Sequence, residues 1–363
     1  MRILAVTNMY PTAASPWVGT FVQQQVEGLR RIGLEIRVLV LHRPHGGADA
    51  RTLQFLSSGI RAYSGAKGRI RRSAAEFQPD IVHVMYGGVM AALATRAVDR
   101  TPVVVSFCGS DLLGEPARRW EKRLSIRYGV LASHAAARRA DGIIVKSSNL
   151  RQALPAGIDL QKVWTIPNGV DLELFKPLDP GACRRQLGWE EGSFHLLFPS
   201  FPENLTKGFD LAREAVGRLG ASGLSVELHT LRDRPHTEIP VWLNACDCLV
   251  LTSRIEGSPN IVKEALACDR NVVSVDVGDV RERLEGIEGC LMADATADDL
   301  AAKLQILLKR PGETRAAGRV RVQDLSLERV GERLLAVYRE VLQRRSGITG
   351  PEEIEQSEQR ATQ

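Results

Sequence analysis

Short runs of apolar residues alternate with longer amphipathic stretches along most of the chain. The first run, residues 2–8, is β-rich; a turn-rich loop over 9–19 follows, and 20–32 then carries apolar residues at helical spacing. Further strands are predicted at 35–41, 80–85, 102–107, 142–146 and 162–166, with helical segments between most of them. Apolar strands separated by helices specify a parallel sheet covered on both faces and joined by right-handed crossovers.

The pattern breaks at Pro167, Asn168, Gly169 and Val170. The stretch 171–180 that follows contains Pro177 and Pro180 and no periodic apolar face, which reads as a linker. Alternation then resumes, with strands predicted at 195–199, 225–230, 248–252, 271–275 and 290–292. The expected organisation is therefore two Rossmann-like units, 1–170 and 181–325, around a linker at 171–180. A length of 363 residues suits two such domains. A final helix is expected over 326–345, with Ser326 as its N-cap and Val330, Leu334, Val337 and Val341 on one stripe, packing across both domains. Residues 346–363 are polar and rich in Glu and Gln, so this tail is expected to be disordered.

Composition agrees with the pattern: 44% hydrophobic residues with only 5% aromatic is the balance of helices packed on parallel sheets. No apolar run approaches the roughly 20 residues that span a bilayer, and the first residues read as a strand and not as an export signal, so a cytoplasmic protein is expected. The six cysteines, at 108, 183, 246, 248, 268 and 290, have no CxxC spacing; no disulfide framework or metal site is expected, and the close pair Cys246 and Cys248 reads as core. The net charge of +5 is mild, compatible with an anionic substrate or an anionic membrane surface, and points to no nucleic acid. One basic cluster is local: Arg118, Arg119, Lys122, Arg123 and Arg127 share a helical segment with Trp120 and Leu124, the pattern of a face that touches anionic lipid at the inner membrane surface.

The most specific stretch is CLVLTSRIEGSPNIVKEALAC, 248–268. A buried strand runs into a short loop, and a helix is predicted to open with Ser258 as N-cap and Pro259 in its first position. Such a start offers free backbone N–H groups to an anion, here a diphosphate at the strand's carboxyl end, with Gly257, Ser258, Asn260 and Ile261 as donor-binding candidates. Glu256 precedes the helix and Glu264 lies about one and a half turns into it, too far apart to act as one acid/base pair. The reading divides their work: Glu256 meets the transferred sugar, and Glu264 accepts hydrogen bonds from ribose hydroxyls. His83 ends a predicted strand and is an acceptor-side candidate; His134, amid Ala and Arg on a helix, reads as structural. The first loop lacks GxGxxG, which counts against a dinucleotide coenzyme.

EGSPNIVKE resembles the glutamate-x7-glutamate motif of retaining glycosyltransferase family 4, whose fold is GT-B. The run VVSVDVGDVRERL at 272–284 is similar to its teichuronic acid branch, IPNGVDLELFKP at 166–177 to its interdomain signature, and ADGIIVKSSNL to the last strand and helix of its acceptor domain. The resemblance implies an α/β chain of two Rossmann-like, doubly wound domains facing a central cleft. It also implies transfer of a sugar from a nucleotide-sugar donor to a glycan or lipid-linked glycan, in cell-surface polysaccharide or glycoconjugate synthesis, with no metal or cofactor. Carried over residue by residue, it makes Gly19 the glycine beside the donor phosphates, Lys207 before Gly208 the diphosphate-binding catalytic cation, Glu256 the catalytic carboxylate and Asp111 an acceptor-side residue. Two positions depart from the pattern: Phe201 stands where the family commonly has arginine, and Cys108 where it has a histidine that contacts the donor sugar. These departures keep a non-catalytic GT-B subunit open as an alternative, beside a sugar-nucleotide epimerase.

Overall fold

The structure, a computed structural model, describes residues 1–41, 63–308 and 316–346. The tail expected to be disordered lies, from residue 347 on, outside the described residues. Two all-parallel sheets are formed. The first contains β1 (Arg2–Thr7), β2 (Glu35–Val40), β3 (Ile81–Val84), β4 (Val103–Phe107), β5 (Gly142–Val145) and β6 (Val163–Thr165), in the order β2-β1-β3-β4-β5-β6. The second contains β7 (Phe194–Phe198), β8 (Val226–Thr230), β9 (Cys248–Leu251), β10 (Asn271–Val275) and β11 (Cys290–Ala293), in the order β11-β10-β9-β7-β8. Central strands are buried on both faces, as their unbroken apolar runs require.

In each sheet the chain begins one strand in from an edge, adds that edge strand and then returns to the other side of its first strand. The order therefore reverses between β1 and β3 and between β7 and β9. Such switch points leave a crevice outside the carboxyl ends of the strands, because the two flanking crossovers depart to opposite faces. The loops after β1, β7 and β9 carry Gly19, Lys207 and Glu256 respectively.

The linker ends earlier than its proline content suggests. Asp179 accepts a hydrogen bond from the Ala182 amide at 2.7 Å and Pro180 occupies the first turn, so helix Pro180–Leu187 already belongs to the second unit. The C-terminal helix, Leu327–Ser346, is capped as predicted: the Arg329 amide donates to Ser326 Oγ at 3.2 Å. Val330, Leu334, Val337 and Val341 are all buried. The helix lies along helix Thr20–Arg31 of the first domain, and the crossing between domains is made by the segment before it. There Arg319 donates to the carbonyls of Leu172, Phe175 and Ala267, tying the linker to the second domain. All six cysteines are free, and Cys246 and Cys248 are fully buried, in keeping with a packing role.

Candidate active site

The two loops that flank the switch point of the second sheet converge. Lys207, in the loop after β7, places Nζ 2.5 Å from Oε1 of Glu256 in the loop after β9. Both side chains are about three-quarters or more buried, so the pair is a fixed dipole and not a solvated surface contact. The Glu256 carbonyl accepts a hydrogen bond from Asn149 Nδ2 of the first domain at 3.1 Å. Beside it, a Cβ on Gly257 would lie 2.4 Å from the Cys108 carbonyl oxygen, so the two domains touch here through backbone and only glycine fits.

Helix Asn260–Ala267 begins one residue later than predicted: Pro259 is its N-cap, and Ser258 makes no capping bond. Its hydroxyl is engaged elsewhere, donating to Asp279 at 2.9 Å and accepting from Lys263 Nζ at 3.2 Å. Lys263 also donates to the Asn168 carbonyl at 3.0 Å, while Asn168 Nδ2 bonds Asn260 Oδ1 at 3.4 Å. Ile261 is half-buried against an apolar core that runs through both domains. Burial pushes the Lys263 ammonium down to about 7, against the pull of Asp279. A second buried ammonium, Lys146, donates to Gln25 Oε1 at 3.2 Å, and burial lowers its pKa too, opposed by Cys108 and Asp111.

Glu264 is buried, and its Oε1 accepts from His236 Nε2 at 2.8 Å. His236, in the loop after β8, is absent from the predicted site. Burial disfavours its charged form, but the charge and hydrogen bond of Glu264 outweigh this and its pKa is raised. Gly19 has a φ of +71°, and a Cβ on it would meet the Met9 carbonyl at 2.6 Å, so both its conformation and its neighbour demand glycine.

Two acceptor-side candidates are corrected. His83 is fully buried, with Nδ1 2.6 Å from the Tyr338 hydroxyl and Nε2 2.7 Å from Ser106 Oγ. Burial, helped by Lys146, pushes it down to about 3, so it is a neutral structural link between β3, β4 and the C-terminal helix. Asp111 is also buried; its carboxylate accepts from the amides of Gly87, Cys108 and Gly109 and shapes the loop after β4 instead of meeting an acceptor. Burial pushes the Cys108 thiol itself up to about 12, keeping it neutral. At the other departure, the Arg232 guanidinium lies 5.0 Å over the Phe201 ring.

Among the described residues no helix is long and apolar enough to cross a membrane. The predicted basic segment forms helix Trp120–Arg139, and the exposed stripe on it is longer than foreseen: Trp120, Leu124, Tyr128 and Leu131 are 67%, 55%, 65% and 64% exposed.

Two doubly wound parallel-sheet domains in one chain, touching at the Glu256 loop, form the GT-B architecture. The family described as Glycosyltransferase Family 4 matches residues 18–174, and that described as Glycosyl transferases group 1 matches 208–310. The chain belongs to glycosyltransferase family 4. It is 26% identical over 306 residues to D-inositol 3-phosphate glycosyltransferase 1 of Catenulispora acidiphila, covering 73% of each chain. It is also 26% identical over 354 residues to TuaC of Bacillus subtilis, a glycosyltransferase assigned to teichuronic acid biosynthesis, covering 83% of this chain and 87% of that one. The structure of Anabaena HepE in complex with UDP-glucose superposes with a TM-score of 0.68 at 17% identity, over 94% of this chain and 100% of that one.

Proposed function

We propose that this glycosyltransferase moves a sugar, with retention of anomeric configuration, from a nucleoside diphosphate donor to a glycan or lipid-linked glycan of the cell surface. The observation that carries the reading is the Lys207–Glu256 pair at 2.5 Å, outside the carboxyl ends of β7 and β9 and next to the start of helix Asn260–Ala267. In the proposed complex the donor diphosphate rests on Lys207, the amides of Gly257, Ser258, Asn260 and Ile261, and the backbone at Gly19. The ribose is held by Glu264, and the sugar lies between Glu256 and Cys108, whose small side chain leaves room where the family has histidine. As the glycosidic bond breaks, negative charge grows on the diphosphate and Lys207 offsets it. Arg232, stacked over Phe201, brings a guanidinium to the neighbourhood where the family arginine is missing. The departing diphosphate takes the acceptor's hydroxyl proton on the face from which it leaves, so the step uses neither a protein nucleophile nor a metal or cofactor. The UDP-glucose in HepE and the teichuronic acid assignment of TuaC support the donor and acceptor classes.

A thermal-shift screen of nucleoside diphosphates and their sugars tests the donor. A ligand at about 100 times its Kd stabilises the folded chain by about 2.7 kcal/mol and raises the melting midpoint. Silence across the panel, with no donor hydrolysis by the purified protein, would favour a non-catalytic subunit.

A peripheral association with anionic membrane is part of the proposal. Trp120, Leu124, Tyr128 and Leu131 fall on one stripe of the helix, and Arg119, Arg123 and Arg127 run beside it at fourfold spacing. Each basic residue near an anionic surface contributes about 1 kcal/mol, so the paired change Arg123→Gln and Arg127→Gln is expected to weaken vesicle binding about 30-fold. Co-sedimentation with anionic and zwitterionic vesicles checks this; equal binding to both, or none by the unaltered protein, would rule out the docking face.

A further inference from the structure

Away from the cleft, three ligand-type side chains converge on the outer half of the second sheet. His195 stands on β7, and Glu227 and His229 stand on the edge strand β8. The parallel register pairs His195 with Glu227 and Leu197 with His229, so that the three side chains share one face. His195 Nδ1 lies 3.0 Å from His229 Nε2, and Glu227 Oε2 is 3.9 Å from the first and 3.6 Å from the second. A point equidistant from these three atoms sits about 2 Å from each, the length of zinc bonds to imidazole nitrogen and carboxylate oxygen.

The surroundings orient the ligands as a metal site needs. His195 Nε2 lies 2.9 Å from the Glu190 carbonyl, and a carbonyl only accepts, so Nε2 carries the proton and Nδ1 presents a lone pair to the cluster. A backbone carbonyl bound to the far nitrogen is the usual partner of a metal-ligating histidine, because it sets both tautomer and ring orientation. The His229 ring stacks on Trp189, with centroids 3.6 Å apart and planes 5° from parallel, which locks its direction. His195 is fully buried, whereas the Glu227 side chain is 38% exposed, so a fourth position opens towards solvent and water can complete a tetrahedron.

We propose that His195, Glu227 and His229 form a divalent-cation site, with a ligand set suited to zinc, that clips the edge strand β8 to β7. The site stands apart from the cleft: His195 lies at the start of β7, whereas Lys207 follows the opposite end of that strand. The expectation of no metal site rested on the lack of paired cysteines, which bears only on thiolate ligands. Without a metal the same geometry would be a plain imidazole pair, with His229 Nε2 donating to His195 Nδ1.

Full-length protein, stripped with a chelator and dialysed, is titrated with zinc sulfate and separately with cobalt chloride. The expected results are one zinc per chain surviving gel filtration, the intense visible absorption of tetrahedral cobalt, and a higher melting midpoint with zinc. Glu227→Gln, at a part-exposed position, should melt like the unaltered protein in chelator yet bind zinc at least about tenfold more weakly. His229→Asn should lose stoichiometric zinc. Loss of zinc from the unaltered protein on gel filtration, or full retention by both variants, would overturn the proposal. If His229→Asn does not fold, the affinity of Glu227→Gln alone decides.

Discussion

Glu256→Gln is expected to slow sugar transfer by about 10²- to 10³-fold, the cost of removing one preorganised electrostatic group from a transition state. Affinity for the bare nucleoside diphosphate should stay nearly unchanged, because that product lacks the sugar Glu256 is proposed to meet. The 2.5 Å contact with Lys207 sharpens the contrast. Lys207→Met should weaken diphosphate binding as well as turnover, since its ammonium is proposed to serve the leaving group. Steady-state kinetics with the sugar nucleotide, paired with calorimetry on the bare diphosphate, separate the two roles. Equal losses of both quantities in Glu256→Gln would remove Glu256 from the sugar.

Glu264→Ala should act on binding instead. A hydrogen bond from a hydroxyl to a buried carboxylate contributes about 1.5–3 kcal/mol, so donor affinity should fall roughly 10- to 150-fold. His236 adds a pH signature. Its folded pKa is raised above the ordinary 6.5, so its bond to Glu264 adds stability that is fully present below that value. The contribution is lost as pH rises through the raised folded value. The difference in unfolding free energy between the unaltered protein and His236→Ala should therefore be larger near pH 6 than at alkaline pH. A difference independent of pH would mean that the imidazole packs there as a neutral ring.

Much of the architecture was legible because parallel strands buried on both faces are written as unbroken apolar runs. The predicted strands fall within a residue or two of β1 to β11. The Glu256 loop and Glu264 helix were legible for the same local reason: strand, loop and helix follow one another within one short segment. What escaped was settled between residues far apart in the chain. Ser258 looked like a cap, but Asp279 and Lys263 draw its hydroxyl away, and the first arrives from another loop. His83 ended a strand as expected, yet Tyr338, 255 residues later, takes one of its nitrogens. His236 sits in the turn-rich run LRDRPHTEIP, where no periodicity marks it, and gains meaning only against Glu264. His195 and His229 alternate along two strands like ordinary inward positions, and only register brings them together.

The close approach of Gly257 to the Cys108 carbonyl, with Asn149 holding the Glu256 carbonyl, makes the first domain part of the mould that shapes the Glu256 loop. Were the domains to part, that loop would lose its brace as the site opened to water. A movement that would expose a bound activated sugar to wasteful hydrolysis would therefore also release the carboxylate proposed to sit beside it.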